Sequence, residues 1–384
     1  MQGRPDQDHK KQEFRHVRKD EQKKQFSLPL RVILLITAVV LVLFSLYRLW
    51  ERPPKNTQPP LPEATPVPTQ IPQVAESEVT PAPEPTMTPL PEGTAPENAR
   101  QNGIYTILLA GLDEASESTD TLLLCRLDTI AHSINCVSIP RDTLINVDWD
   151  VRRINTVYSG GKRGGGSGSE NLLLQMRFLT GIDVDAYAVV SLDAFIDVID
   201  LLGGVWFYVP IQMDYEQYYD DLFIHLEPGY QHLDGYQCMG LCRFRSDYAN
   251  GDLGRIEMQH TFFKAAAEQF LTLGNLPNAA KVFSRIADGM DTNLTAANIA
   301  WFVRQAMQCS SENIHFYTMP GYGKMIQGRS YYVISPYYWL EMLNARLNPY
   351  ETPLGYWNLN IVFEGENGEF TSTTEVQGPW YYDE

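Results

Sequence analysis

Between Arg31 and Arg48 the chain carries an uncharged run, VILLITAVVLVLFSLY. As a helix rising ~1.5 Å per residue it is about 24 Å long, short of a ~30 Å hydrocarbon core. Leu28, Leu30, Leu49 and Trp50 lengthen it, and the flanking arginines can snorkel to the interfaces. The pattern predicts a transmembrane signal-anchor over 28–50. A cleaved signal peptide is the competing reading, but around Tyr47 the chain reads LYRLWERPP, without a small-x-small cleavage site. Residues 1–27 are basic and poor in apolar positions, which predicts a disordered cytoplasmic tail and an exported remainder. Residues 51–99 hold 14 of the 25 prolines and predict an extended Pro-rich linker.

From residue 100 the pattern is that of a folded domain. Ile104 to Ala110 is a short apolar run ending in Gly111-Leu112-Asp113, a buried strand entering a loop. Thr121–Leu127 and Ser133–Ile139 read as two further strands, turned at Asp128–His132 and stopped by Pro140. Ser167-Gly168-Ser169-Glu170 has capping-box spacing ahead of a helix that Gly181 ends. A strand near Tyr187–Val190, a helix over Ala194–Leu202 and the strand VWFYV follow. Helices are expected again at Asp234–Leu241 and Asp252–Leu271. Such alternation predicts an α/β domain over 100–345, with helices packed on a mixed central sheet and sites at the strand ends. The C-terminal extension, 346–384, carries no readable role.

Charge narrows the partners. The chain has a formal net charge of −17, and its first fifty residues are net basic, so the exported part is more acidic still. That balance argues against nucleic acid as a partner. A local arginine cluster on this background reads as a site. Five cysteines show no metal-binding spacing. Cys125 and Cys136 could face each other across a hairpin and form a disulfide, while most of the others read as small buried residues.

The segment CRFRSDYANGDLGRIEMQH carries the strongest candidate chemistry. Alternation in an extended stretch would aim Arg243 and Arg245 to one side. Helical spacing from Asp252 would align Asp252, Arg255 and Gln259 along one face near a helix N-terminus. Converging guanidiniums there suit phosphate oxygens. Asp113 and Asp120 flank the ends of the first two strands; they could hold Mg²⁺ jointly with a substrate phosphate, or merely cap the chain. Arg141, after a strand and a proline, could join the phosphate cluster or pair with Asp142 at the surface. Arg153 and Asn155 precede the Gly-rich run SGGKRGGGSGSE, which lacks P-loop order and reads as a flexible loop or lid. His260 could act as a base or lie on a helix surface. The paired aromatics Tyr331-Tyr332 and Tyr337-Tyr338 read by default as packing.

Taken in order, ILLAGLD, STDTLLL, SIPRDT, RINTVYSGG, VIDLLGGV, LDGYQ, CRFRSD and GDLGRIEMQ resemble the LytR–CpsA–Psr family. The resemblance spans 104–273, more weakly to 345. It implies an α-β-α sandwich whose core holds a lipid tail in an apolar tunnel; Phe195, Ile199 and Leu202 are candidate lining residues, or ordinary core. It implies transfer of a glycopolymer from a polyprenyl-pyrophosphate carrier to the 6-hydroxyl of N-acetylmuramic acid in peptidoglycan, forming a phosphodiester at the cell membrane. By position, Asp113 and Asp120 match carboxylates associated with Mg²⁺ (or Mn²⁺) and catalysis. Arg141, Arg243, Arg245 and Arg255 match pyrophosphate-binding arginines, Asp252 and Gln259 further polar positions, and Arg153 and Asn155 a basic-x-Asn pair near the head group. Arg141 and Arg245 join the two carboxylates as expected catalytic residues. Two departures stand out: Ser118 occupies a usual arginine position, for which Arg152 could substitute, and the Gly-rich insertion is long. A non-catalytic polyprenyl-phosphate binder or regulator, and a polyprenyl-pyrophosphate hydrolase, remain the alternative readings.

Overall fold

The computed structural model describes residues 99–113, 117–163, 167–218, 222–245, 251–271, 289–365 and 367–375. The expected basic tail, signal-anchor and nearly all of the Pro-rich linker lie outside the described residues. Among the described residues no helix is long and apolar enough to cross a membrane.

In chain order the strands are β1 (Ile104–Asp113), β2 (Ser118–Asp128), β3 (Ser133–Ser138), β4 (Ala186–Ser191), β5 (Val205–Val209), β6 (Met213–Gln217) and β7 (Leu222–Leu226). They continue as β8 (Gly229–Leu233), β9 (Met290–Thr292), β10 (Ile314–Thr318), β11 (Gly321–Ile326), β12 (Arg329–Ile334), β13 (Val362–Glu364) and β14 (Phe370–Ser372). The helices are α1 (Val157–Arg163), α2 (Gly168–Thr180), α3 (Leu192–Leu201), α4 (Gly235–Arg243), α5 (Asp252–Phe270), α6 (Ala296–Ala306) and α7 (Pro336–Met342).

Six strands form one sheet in the order β10-β3-β2-β1-β4-β9. β1 is antiparallel to β2 and parallel to β4, and β3 is antiparallel to β2 and parallel to β10. The sheet is therefore mixed, as the sequence predicted. Alternation sorts its side chains. Leu108, Ala110, Leu112, Leu122 and Leu124 turn to one face, where they pack with Leu172, Met176 and Leu179 of α2, Val157 and Tyr158 of α1, and Trp339 of α7. Burying a leucine there contributes about 1.5–3 kcal/mol. Ile107, Leu109, Leu123, Cys125, Ile134 and Cys136 turn to the other face, opposite α3 and α5.

A second core joins α3, α4 and α5 to the two-stranded sheets β5–β8 and β6–β7 through Val205, Phe207, Ile224, Leu233 and Phe262. Of these strands, the sequence pattern had exposed only β5. Cys125 and Cys136 are register partners and form a disulfide. Residues beyond 345 add Leu347, Tyr350, Leu354, Leu359 and Ile361 to the main core. The buried Asn146 amide secures that segment by donating to Asn360 Oδ1 at 2.7 Å and the Glu375 carbonyl at 2.9 Å.

Several local expectations need correction. The start of the Gly-rich run is the helix α1, continuous with a 3-10 turn at Ile154–Thr156, because Val157 and Tyr158 are buried in the main core. Ser167 precedes α2 without capping it; its hydroxyl meets Ser169 Oγ at 2.7 Å. Gly181 does stop that helix, with φ 68°. Arg243 is the last residue of α4, so Arg243 and Arg245 do not sit in an alternating extended segment.

Candidate active site at the mouth of an apolar cavity

Between the sheet and helices α3, α4 and α5 lies a cavity of about 500 Å³. Its walls are apolar: Phe195 and Ile199 from α3, Phe262, Phe263 and Ala266 from α5, and Phe316 from β10. Leu202 is not among the lining residues. Asp113, Asp120, Thr121, Arg243 and Arg255 line the same cavity at the β1–β2 end of the sheet. The antiparallel pairing sets Asp113 opposite Ser118, which brings both carboxylates to one edge.

These groups form one network. Asp120 takes Arg141 on Oδ1 and Arg245 on Oδ2, the latter at 3.2 Å, and Ser118 Oγ donates to Oδ1 at 3.1 Å. Arg243 reaches Asp113 at 3.4 Å. Arg255, buried within α5, donates to Asp252 Oδ1 from Nε and Nη2 at 3.0 and 2.6 Å. Asp252 also approaches Arg245 Nε at 4.0 Å. The buried Gln259 donates to Thr121 Oγ1 at 3.3 Å and to the Cys242 carbonyl at 2.9 Å, fastening α5 to β2 and the end of α4.

The electrostatics match an anion site. Partial desolvation at the mouth, where the side chain stays 41% exposed, then crowding by Arg255 and Arg141, pushes the Arg245 guanidinium below its ordinary range. A phosphate oxygen would relieve that crowding. Burial also depresses His260 to about 4; its Nε2 meets Ser138 Oγ at 2.8 Å and its ring stacks on Phe316. At neutral pH this imidazole is an uncharged packing group.

Arg153 and Asn155 sit one shell back. Arg153 pairs with Asp142 at 3.4 Å, donates to the Ser330 carbonyl at 2.6 Å and lies over the Tyr331 ring. Asp142 lies 3.7 Å from Arg141 Nε, so it links the two arginines. The Asn155 N–H donates to the Arg141 carbonyl at 3.2 Å. Arg152 is buried with its charge beside Tyr331, Asp148 and Asp150. Tyr331 and Tyr332 are buried as expected, whereas Tyr337 and Tyr338 are exposed. Asp142 and Thr121 are the site's supporting residues that sequence reasoning left without this role. Their partners, Arg153 and Gln259, come from distant segments, and no local pattern announces such pairs.

A divalent cation can be tested against the donor set. Among the described residues no three His, Cys, Asp or Glu side chains cluster as a metal site. Two carboxylates at the mouth are hard oxygen donors, and they suit a Mg²⁺ or Mn²⁺ that draws its other ligands from water and phosphate. The residues present fit such an ion.

The profile of the LytR_cpsA_psr family matches residues 76–346. The chain belongs to this family. Within it, the cell wall biosynthesis protein LcpA of Corynebacterium glutamicum is 32% identical over 240 residues, covering 56% of this chain and 45% of that protein. The polyisoprenyl-teichoic acid–peptidoglycan teichoic acid transferase TagV of Bacillus subtilis is 28% identical over 200 residues, covering 50% of each chain. The matched region thus spans about half the length of each relative. A crystal structure of B. subtilis TagV superposes with a TM-score of 0.55 at 22% identity, covering 64% of this chain and 96% of that one. TagT bound to LI-WTA superposes at 0.51 and 18% identity, covering 64% and 89%. At these identities the structural likeness is one of fold. Asp113, Asp120, Arg243 and Arg255, each within one of the shared motifs, line the mouth of the apolar cavity.

Proposed function

We propose that this protein transfers a glycopolymer from a polyprenyl-pyrophosphate carrier to the 6-hydroxyl of N-acetylmuramic acid in peptidoglycan, forming a phosphodiester. The observation that carries the reading is one apolar cavity whose mouth gathers Asp113, Asp120, Arg243 and Arg255. Such a space accepts an isoprenoid tail, and the arginines meet the pyrophosphate at its end. In this reading the domain is an α-β-α sandwich held outside the cell membrane by the anchor at 28–50 and the linker at 51–99. The relatives' names support a cell-wall polymer as cargo.

The acceptor oxygen attacks the phosphorus that carries the glycan. The bond from that phosphorus to the bridging oxygen breaks, and polyprenyl phosphate leaves with the electron pair. Arg141, Arg243, Arg245 and Arg255 neutralise the charge that grows on the bridging and nonbridging oxygens. Asp120 holds Arg141 and Arg245 in place, while Asp252 and Gln259 fix the helix that brings Arg255. Asp113, which Arg243 reaches at 3.4 Å, takes the hydroxyl proton in this scheme. Mg²⁺ or Mn²⁺ on Asp113 and Asp120 would supply further charge neutralisation at the phosphates.

The full chain in detergent, given a polyprenyl-pyrophosphoryl saccharide, a peptidoglycan glycan strand and Mg²⁺, is expected to yield a phosphodiester-linked product by mass spectrometry. Release of free phosphate alone would replace transfer with hydrolysis. Binding without turnover would leave a lipid-binding regulator.

A further inference from the structure

The two-stranded sheet β5–β8 carries an aromatic face that the second core does not use, with His232 the cross-strand partner of Trp206 on it. Val205, Phe207 and Val209 point into that core, and the alternate residues Trp206 and Tyr208 point out. Trp206, Tyr208 and Tyr230 are 50, 61 and 68% exposed. The Trp206 and Tyr230 rings stack, with centroids 5.6 Å apart and planes at 19°, and Tyr208 is the cross-strand partner of Tyr230. Leu201, exposed at the end of α3, lies four residues before β5 in the chain.

Register places this patch. Asp113 and Asp120 mark one end of the sheet, and the start of β1 marks the other. Arg100, which leads into β1, bonds Asp185 just ahead of β4 and so lies at that other end. α5 starts at the mouth with Asp252 and runs toward the same far end; from Arg255 to Gln269 it rises about 21 Å. There Gln269 Oε1 accepts the Trp206 N–H at 2.8 Å, and Gln269 Nε2 donates to the Trp206 carbonyl at 2.9 Å. Phe270 and Leu271, next along the chain, line the inner end of the cavity. The aromatic face, the inner end of the cavity and the point where the chain enters β1 therefore share one pole, opposite the phosphate site.

We propose that this face, with Trp206, Tyr208 and Tyr230, is the surface on which the domain rests on a lipid bilayer. The inference rests on reading the cavity as a lipid-tail site. Trp and Tyr favour the headgroup level because one edge is apolar and the other can hydrogen-bond. With this pole on the membrane, an isoprenoid tail runs from the bilayer along the cavity, and its pyrophosphate reaches the mouth roughly 20 Å above the surface. Aromatic platforms also stack on sugar rings, but the saccharide end of the donor is held at the opposite pole. Asp200, Glu227 and Asp234, which flank β5 and β8 in the chain, are exposed and acidic. The contact is therefore one of insertion, and added salt does not weaken it.

Hydroxyl-radical footprinting of the full chain tests the assignment. In nanodiscs of phosphatidylcholine with a minority of phosphatidylglycerol, Trp206, Tyr208 and Tyr230 should oxidise about fivefold more slowly than in amphipol, through burial at the interface. Trp149, exposed beside Thr156 near Arg153, should not change. Equal rates in the two settings overturn the proposal. So does protection in amphipol by a soluble muramyl glycan, which would make the face a saccharide platform. The triple variant Trp206→Ser, Tyr208→Ser, Tyr230→Ser should keep transfer from a short-chain, soluble prenyl-pyrophosphoryl saccharide and lose most transfer from a long-chain donor in the bilayer. Equal loss with both donors counts against the membrane role. If the wild type transfers from neither donor, the enzymatic reading falls while the footprint still decides the membrane contact.

Discussion

Arg255 donates from Nη1 to the main-chain carbonyl of Asp120 at 3.1 Å, across 135 residues of sequence. The bond fastens the first turn of α5 onto β2 beside the two carboxylates. Its guanidinium is 2% exposed and is held on its other edges by Asp252. Arg255→Ala should therefore cost about 1–3 kcal/mol of stability, as expected when buried polar partners are left unpaired. It should also abolish most transfer. Urea denaturation alongside product formation checks both; unchanged stability would mean that the staple carries little.

Gln259→Leu removes two donors from the same helix without touching a charge. The expected loss is about 1–2 kcal/mol from Thr121 Oγ1 and the Cys242 carbonyl left behind. Since α5 carries Arg255, KM for the donor should rise more than kcat falls. A fall in kcat at constant KM would instead give Gln259 a direct part in the chemistry.

Arg245 and Arg153 offer a contrast in position. Arg245 bonds Asp120 at the mouth, whereas Arg153 reaches Asp142, Ser330 and Tyr331. Arg245→Ala should lower kcat about 100-fold or more, in line with removal of one charge-stabilising donor, and Arg153→Ala by no more than about tenfold. Similar losses in steady-state assays would place Arg153 on the phosphate.

Asp113→Ala should lose turnover while donor binding persists. Asp120→Ala should weaken binding as well, because Arg141 and Arg245 lose their shared anchor. Titration with a non-transferable prenyl pyrophosphate separates the two, and equal loss of binding would remove the proposed division of roles.

His260 sets an expected pH response. Burial lowers its folded value to about 4 from the ordinary 6.5, so the folded state favours the neutral ring. Its contribution is fully present above the unfolded value and is lost as pH falls toward about 4, by at most about 3 kcal/mol. Denaturation midpoints at pH 7 and pH 5 should differ less for His260→Gln than for wild type. An identical pH dependence in the two proteins would rule this residue out.

The cross-strand disulfide closes a short loop with a sequence separation of 11. Replacing both Cys125 and Cys136 with Ala should lower stability by about 3 kcal/mol in the chain-entropy account. Free Cys238, pushed up to about 12 by burial, should resist alkylation in the folded protein. Rapid modification of Cys238 without unfolding would contradict that burial.

Much of the site is local chemistry and can be read from the chain. Alternation in β1 and β2 and the helical spacing of Asp252, Arg255 and Gln259 state which side chains share a face, because each depends on backbone periodicity alone. The sequence therefore determined the strand–helix pattern, the arginine cluster and the two carboxylates flanking one turn. It did not determine that Arg141 and Arg245 would divide the oxygens of Asp120, or that Asp142 would join Arg141 to Arg153. Only tertiary structure decided those pairs. It also decided the cavity, whose walls come from α3, α4, α5 and five strands, and the exposed aromatic face of β5–β8. A cavity is the space left when separate layers pack, and exposure depends on what lies opposite. Neither is a property of any one stretch of chain.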